Sequence, residues 1–132
     1  MFDTVFAGLD ESALIAAIGQ SAREEAQAGA RKFAAIAQIG AALNIGHKRA
    51  SGQMRIAVAL RDRLPRIAAL YLQGRLSTRL ICEITWRTRL VEDTRVLALL
   101  DAALAGQAQR WGPLSDERLT RAVDAVINRY DP

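Results

Sequence analysis

The sequence predicts an all-α fold, a single compact bundle of about five to seven helices over residues 1–132, with a helix-turn-helix-like segment inside it. Half of the chain is apolar, supplied mainly by Ala, Leu, Ile and Val with 5% aromatic residues, which suits helix packing better than a sandwich of strands. Gly and Pro are sparse, at nine and three. A length of 132 residues fits one domain that buries a core without disulfide or metal staples.

Each element has its own signal. Asp10 or Ser12 caps a first helix whose apolar pattern begins with Leu14, Ile15 and Ile18. Ser21 and Glu24 have the spacing of a capping box, so that helix either restarts or runs on through Phe33, Ile36, Ala37, Gly40 and Leu43, with Gly19 and Gly29 bearing on its straightness. Asn44 to Gly46 is a break, because Asn tolerates the left-handed conformation and Gly prefers it. The next helix is expected from Lys48 to about Leu64. It places Ala50, Met54, Ala57, Val58 and Leu64 on one arc, spoiled only by Arg61, with Lys48, Arg55 and Asp62 opposite.

Pro65 suits the first turn of a short helix to about Leu72, with Gly74 as its C-terminal cap. Ser77 caps another helix, with Leu80, Ile81, Ile84, Thr88 and Val91 on one face and Cys82 and Trp86 on the other. Asp93 or Thr94 opens a helix that is apolar nearly all round, the pattern of a central element, ending before Trp111-Gly112-Pro113. Ser115 caps the last helix. Asp116 and Glu117 sit in its first turn, and Leu119, Ala122, Val123, Val126, Ile127 and Tyr130 form its inner face.

Charge is segregated along the chain. Residues 1–25 carry one basic and five acidic side chains, residues 26–91 twelve and two, and residues 92–132 five and seven. The middle segment, at +10, would attract phosphates more strongly than the overall +4 suggests. Against this stands the plainer reading of a solvated, Arg-rich helical surface. Cys82 is the single cysteine, so no internal disulfide forms. The N-terminus lacks the basic start and apolar stretch of a secretion signal, and the uncharged run from Phe33 to Gly46 is too short to span a bilayer. A cytoplasmic protein that does not engage a membrane is expected.

The residues exclude the common catalytic arrangements. His47 is the single histidine, so no Ser/His/Asp set is at hand, and Cys82, His47 and the scattered carboxylates lack metal-ligand spacing. The glycines occur singly, so no phosphate-cradling loop is present; no cofactor, metal or catalytic residue is expected. Cys82 reads as a small core residue.

The sharper signal runs from Ile39 to Met54. Gly40 would let two helices cross closely, Leu43 and Ile45 would fill the corner, Asn44 would take the turn, and Ala50 and Met54 would anchor the second helix, as in a helix-turn-helix. His47, Lys48, Arg49, Ser51, Gln53 and Arg55 would then face outward, suited to phosphates and base edges. Gly46 stands where a capping Ser or Thr is usual, and Gly52 weakens the helix middle by about 1 kcal/mol relative to Ala. Arg63 and Arg66 join the candidate nucleic-acid-binding set; the alternative is that the arginines of Arg61-Asp62-Arg63-Leu64-Pro65 fix a bend. Asp62 and Arg66 are spaced to pair. Trp86, near Arg79 and Arg89, is either partly buried between helices or free to stack on a base or a partner.

Several stretches, in this order, resemble one family. They are Leu60-Arg-Asp-Arg-Leu-Pro65, Ile67-Ala-Ala-Leu70 with Gly74, Trp86-Arg-Thr88 with Leu90-Val-Glu-Asp93, Asp101-Ala-Ala-Leu104, Trp111-Gly-Pro-Leu-Ser115, and Ala122-Val-Asp-Ala125 leading to Asp131-Pro132. The chain is similar to the 13E12 repeat family, also called domain of unknown function 222. The likeness covers residues 38–132 as a family-like core, preceded by a helical segment over residues 1–37. It implies a bacterial cytoplasmic protein with a helical domain often placed ahead of an HNH endonuclease core, and no catalytic residue within the stretch. An HNH site needs metal-ligating histidines and an orienting Asn, so with His47 alone the 132 residues hold no HNH core.

The expected role is thus a non-catalytic domain supporting duplex DNA binding by an HNH-associated protein. The alternatives are an interaction or oligomerisation module, whose basic surface meets a C-terminal HNH half or a second copy, and the remnant of a truncated gene copy.

Overall fold

The computed structural model describes every residue but Pro113, and every helical side chain but that of Asp116; the expectations for those two lie outside the described residues. A 3-10 turn, Phe2–Thr4, precedes α1 (Glu11–Ala42), α2 (Gly52–Asp62), α3 (Pro65–Leu72), α4 (Thr78–Arg87), α5 (Thr94–Ala108) and α6 (Asp116–Tyr130). Among the described residues all regular structure is helical, as composition predicts.

The helix starts follow capping chemistry. Asp10 accepts the Ala13 amide at 2.7 Å, Ser77 that of Leu80 at 3.2 Å, Asp93 those of Arg95 and Val96, and Ser115 that of Arg118 at 3.3 Å. α1 runs unbroken through Ser21, Gly19 and Gly29, so the capping-box spacing there starts no new helix. It ends where Asn44 turns left-handed (φ 57°) and the Ile45 amide reaches back to the Gly40 carbonyl at 2.8 Å.

α2, rather than α5, is the central element. Ile56 to Leu60 are buried on every side, because α2 packs against α1, α3 and α4 at once. α5 packs on α3 and α6 and turns Leu99 to solvent, half exposed; its all-round apolar pattern reflects Ala and Leu on an outer face as well as a core face. Leu64, Ile67, Ile81, Ile84, Leu100, Leu104 and Val123 are fully enclosed and join the helices in one core. Truncating any of the enclosed leucines to Ala would cost about 2–5 kcal/mol. α6 is further fastened to α4: the Thr120 hydroxyl donates to Glu83 at 2.7 Å, and Arg87 contacts both Glu83 and Asp124.

The first part of α1 stands apart. Its first buried residue is Ala26, and Leu14, Ile15 and Ile18 lie in the open ahead of it. No helix of the described residues is long and apolar enough to cross a membrane.

Candidate nucleic-acid interface

The second helix begins later than its apolar arc predicts. Gly52 has φ 57°, a conformation that cannot lie inside a right-handed helix, so α2 starts there, with Ser51 as N-cap making no side-chain cap bond. Residues 43–51 form the connection between α1 and α2, longer than the three- to four-residue turn of a helix-turn-helix. His47, Lys48 and Arg49 therefore sit in a one-turn loop, closed by the amides of Arg49 and Ala50 on the Gly46 carbonyl, rather than on a recognition helix. The close helix crossing at Gly40 is present: a Cβ there would lie 2.7 Å from the Met54 sulfur.

This loop packs beside the segment that follows α4. Lys48 Nζ lies 3.6 Å from Glu92, with both side chains exposed. His47 has its pKa lowered, first by burial and then by the positive charge of Arg63, while a hydrogen bond with the Arg89 backbone and the Glu92 carboxylate pull the other way. Over the Trp86 ring lie two guanidiniums, that of Arg89 at 3.5 Å from the centroid and that of Arg55 at 5.1 Å. Arg89 also donates to its neighbour's carbonyl, Trp86 O, at 2.8 Å. Arg55 is pressed into this stack so far that burial lowers its pKa and its Nη1 has no hydrogen-bond partner.

The structure thus joins His47, Lys48 and Arg55 of the predicted set with Arg63, and adds Trp86 and Arg89. Arg49 and Gln53 are exposed beside them. Arg63 turns inward: its Nη2 donates to the carbonyls of Thr88 and Val91 at 3.0 and 2.6 Å, tying α2 to the loop after α4. Arg66 lies elsewhere, exposed on the first turn of α3. Arg61 likewise does structural work, gripping Asp62 through two nitrogens and donating to the carbonyls of Ala37 and Ile45 at 3.2 Å. Asp62 is therefore committed to Arg61 and does not pair with Arg66, since Leu64 is enclosed between α2 and α3 and the helix does not continue. The arginines of this segment fix the bend.

Arg89 is the residue that sequence reasoning left out of the set. Its signal was the i, i+3 spacing from Trp86, read as flanking rather than stacking. Arg79, the other expected neighbour of Trp86, donates instead to the Leu114 carbonyl.

Comparison with known proteins bears on identity. Relatives of Mycobacterium tuberculosis named Uncharacterized protein in est 3'region and Uncharacterized protein Rv3776 are each 45% identical over 93% of this chain. The chain spans 42% and 28% of their respective lengths. No solved structure matches it. The model of Domain of unknown function (DUF222) matches residues 8–132, and the chain belongs to that family.

Proposed function

We propose that this chain is a non-catalytic helical domain that holds duplex DNA on the face built from the α1–α2 loop and the Arg55–Trp86–Arg89 stack, in support of a nuclease core where one follows. The observation that carries this reading is the stack itself. Two guanidiniums are held over one indole ring beside Lys48 and Arg49, with Glu92 the acidic partner of Lys48. A stacked guanidinium loses less freedom on meeting a phosphate than a free side chain does. Phosphates recur closely along a duplex, so cations spread over loops and helix ends engage several together. Within the patch Arg55 and Arg89 lie on the Trp86 ring with no carboxylate pair among the described residues, whereas Arg61 and Arg87 are each paired with a carboxylate.

The test is fluorescence anisotropy of a labelled duplex titrated with the protein at a series of salt concentrations. Binding should weaken steeply with salt, and replacing Lys48, Arg49 and Arg55 together by Ala should lower the slope of log K against log salt by about three. Failure of the native chain to bind at low salt would overturn the proposal.

A further inference from the structure

Between α3 and α4 the chain sets a cation at the edge of a cleft. Gly74 has φ 76° and closes α3; its amide reaches the Tyr71 carbonyl and that of Arg75 the Leu70 carbonyl, so the backbone at Arg75 is fixed. Leu76 then turns into the core while Arg75 stays at the surface. The Arg75 Nη1 donates to Gln109 Oε1 at 3.1 Å, and Gln109 Nε2 donates in turn to the Ala105 carbonyl of α5 at 3.0 Å. A neutral amide therefore aims this guanidinium and leaves its charge uncancelled, and among the described residues no carboxylate pairs with it. The cleft that Arg75 borders has a volume of about 460 Å³. Ligand clefts span about 300–1,000 Å³. Buried Leu76, Leu80 and Leu119 line its depth and Trp111 one side, and Arg79 holds the Leu114 carbonyl at its wall.

We infer that this cleft binds a carboxylate borne on a small apolar body, with the carboxylate on Arg75 and the body against the leucines and Trp111. The site shares no residue with the DNA-binding face, lies at the opposite end of α4 from Trp86, and stands without that reading. Of the N–H groups of the guanidinium one is spent on Gln109, and the rest form the planar fork that matches the two oxygens of a carboxylate. The apolar depth favours a ligand whose remaining surface is hydrocarbon and disfavours a multiply charged, strongly hydrated phosphate. Trp111 offers a flat face to an aryl group. Because the backbone and the side chain of Arg75 are both held in place by this chain's own bonds, little freedom remains to be lost when the ligand arrives. Such a carboxylate comes from a free arylalkanoic acid or from the C-terminal residue of a peptide.

Titration of the whole chain with phenylpropanoate, followed by the methyl resonances of Leu76, Leu80 and Leu119, tests this. The shifts should saturate, and the uncharged phenylpropanamide should bind at least about tenfold more weakly, as should inorganic phosphate. Arg75→Gln, at an exposed position, should leave helicity unchanged by circular dichroism, weaken the acid by about tenfold and bring acid and amide to equal affinity. Gln109→Ala should weaken the acid by a smaller factor, because it frees the guanidinium without removing it. The tripeptide glycyl-glycyl-phenylalanine distinguishes the sources: tighter binding than the free acid assigns the site to a chain end, weaker binding to a small molecule. Absence of saturable shifts with either probe up to about 10 mM overturns the inference. So does equal binding of acid and amide by the native chain, or an Arg75→Gln protein that binds the acid as the native chain does.

Discussion

Asp101 of α5 accepts the backbone amides of Arg66 and Ile67, at 2.9 and 3.0 Å, and so caps α3 from a different helix. α3 cannot cap itself: its N-cap position is Leu64, enclosed in the core with no side-chain acceptor, and Pro65 follows directly. The two amides would otherwise be orphan donors at a partly buried helix start. A carboxylate with 3% exposure in the middle of an Ala/Leu helix is explained by this single task.

Removing it should be costly. Asp101→Ala is expected to destabilise the fold by about 2–4 kcal/mol, because it leaves two donors without a partner. Asp101→Asn keeps one acceptor oxygen and should lose about half as much. Urea denaturation of the three proteins checks this, and equal stability of the Ala variant and the native chain would remove the capping role.

The Arg55–Trp86–Arg89 stack predicts a separation between stability and binding. Trp86 is 45% exposed, so Trp86→Ala should lower the melting temperature only slightly. It should weaken duplex binding by about five- to thirty-fold, by releasing both guanidiniums from their fixed positions. Trp86→Phe should retain part of the affinity. An Ala variant that binds as tightly as the native protein would show that the stack orders the fold and not a ligand.

His47 predicts a pH effect of definite sign. Its folded pKa lies below the ordinary 6.5, through burial first and the Arg63 charge next, so the unfolded chain takes up the proton more readily. The stability this histidine contributes is therefore present above pH 6.5 and lost as pH falls through 6.5 toward the folded value. Protonation also adds a positive charge to the proposed interface, so duplex binding should tighten over the same descent. His47→Gln should flatten both dependences relative to the native chain. Identical pH profiles for the two proteins, by thermal melts and by anisotropy, would exclude His47 from either role.

The distribution of charge at the surface was legible only in part. Lys48, Arg49 and Arg55 could be singled out because they cluster in sequence around the start of a helix and off its apolar arc, and Arg61 stood out as a cation on that arc. Nothing local distinguished Arg63, whose guanidinium satisfies carbonyls 25 and 28 positions away, from Arg49, which faces solvent. The helix start at Gly52 was missed because an apolar arc beginning at Ala50 is compatible with either start, and only the left-handed backbone at Gly52 decides between them.

What the sequence by itself determined was the helical class, the caps at Ser77 and Ser115, the caps at Asp10 and Asp93 to within one alternative residue each, the turn at Asn44 and the inner face of α6, because each depends on contacts within a few residues along the chain. Tertiary structure alone decided that α2 is central, that Asp101 caps α3, that Arg61 and Arg63 face inward and that Arg55 and Arg89 meet over Trp86. Those outcomes depend on which helices come to lie side by side, and that is settled by the packing of the whole core rather than by any local pattern of residues.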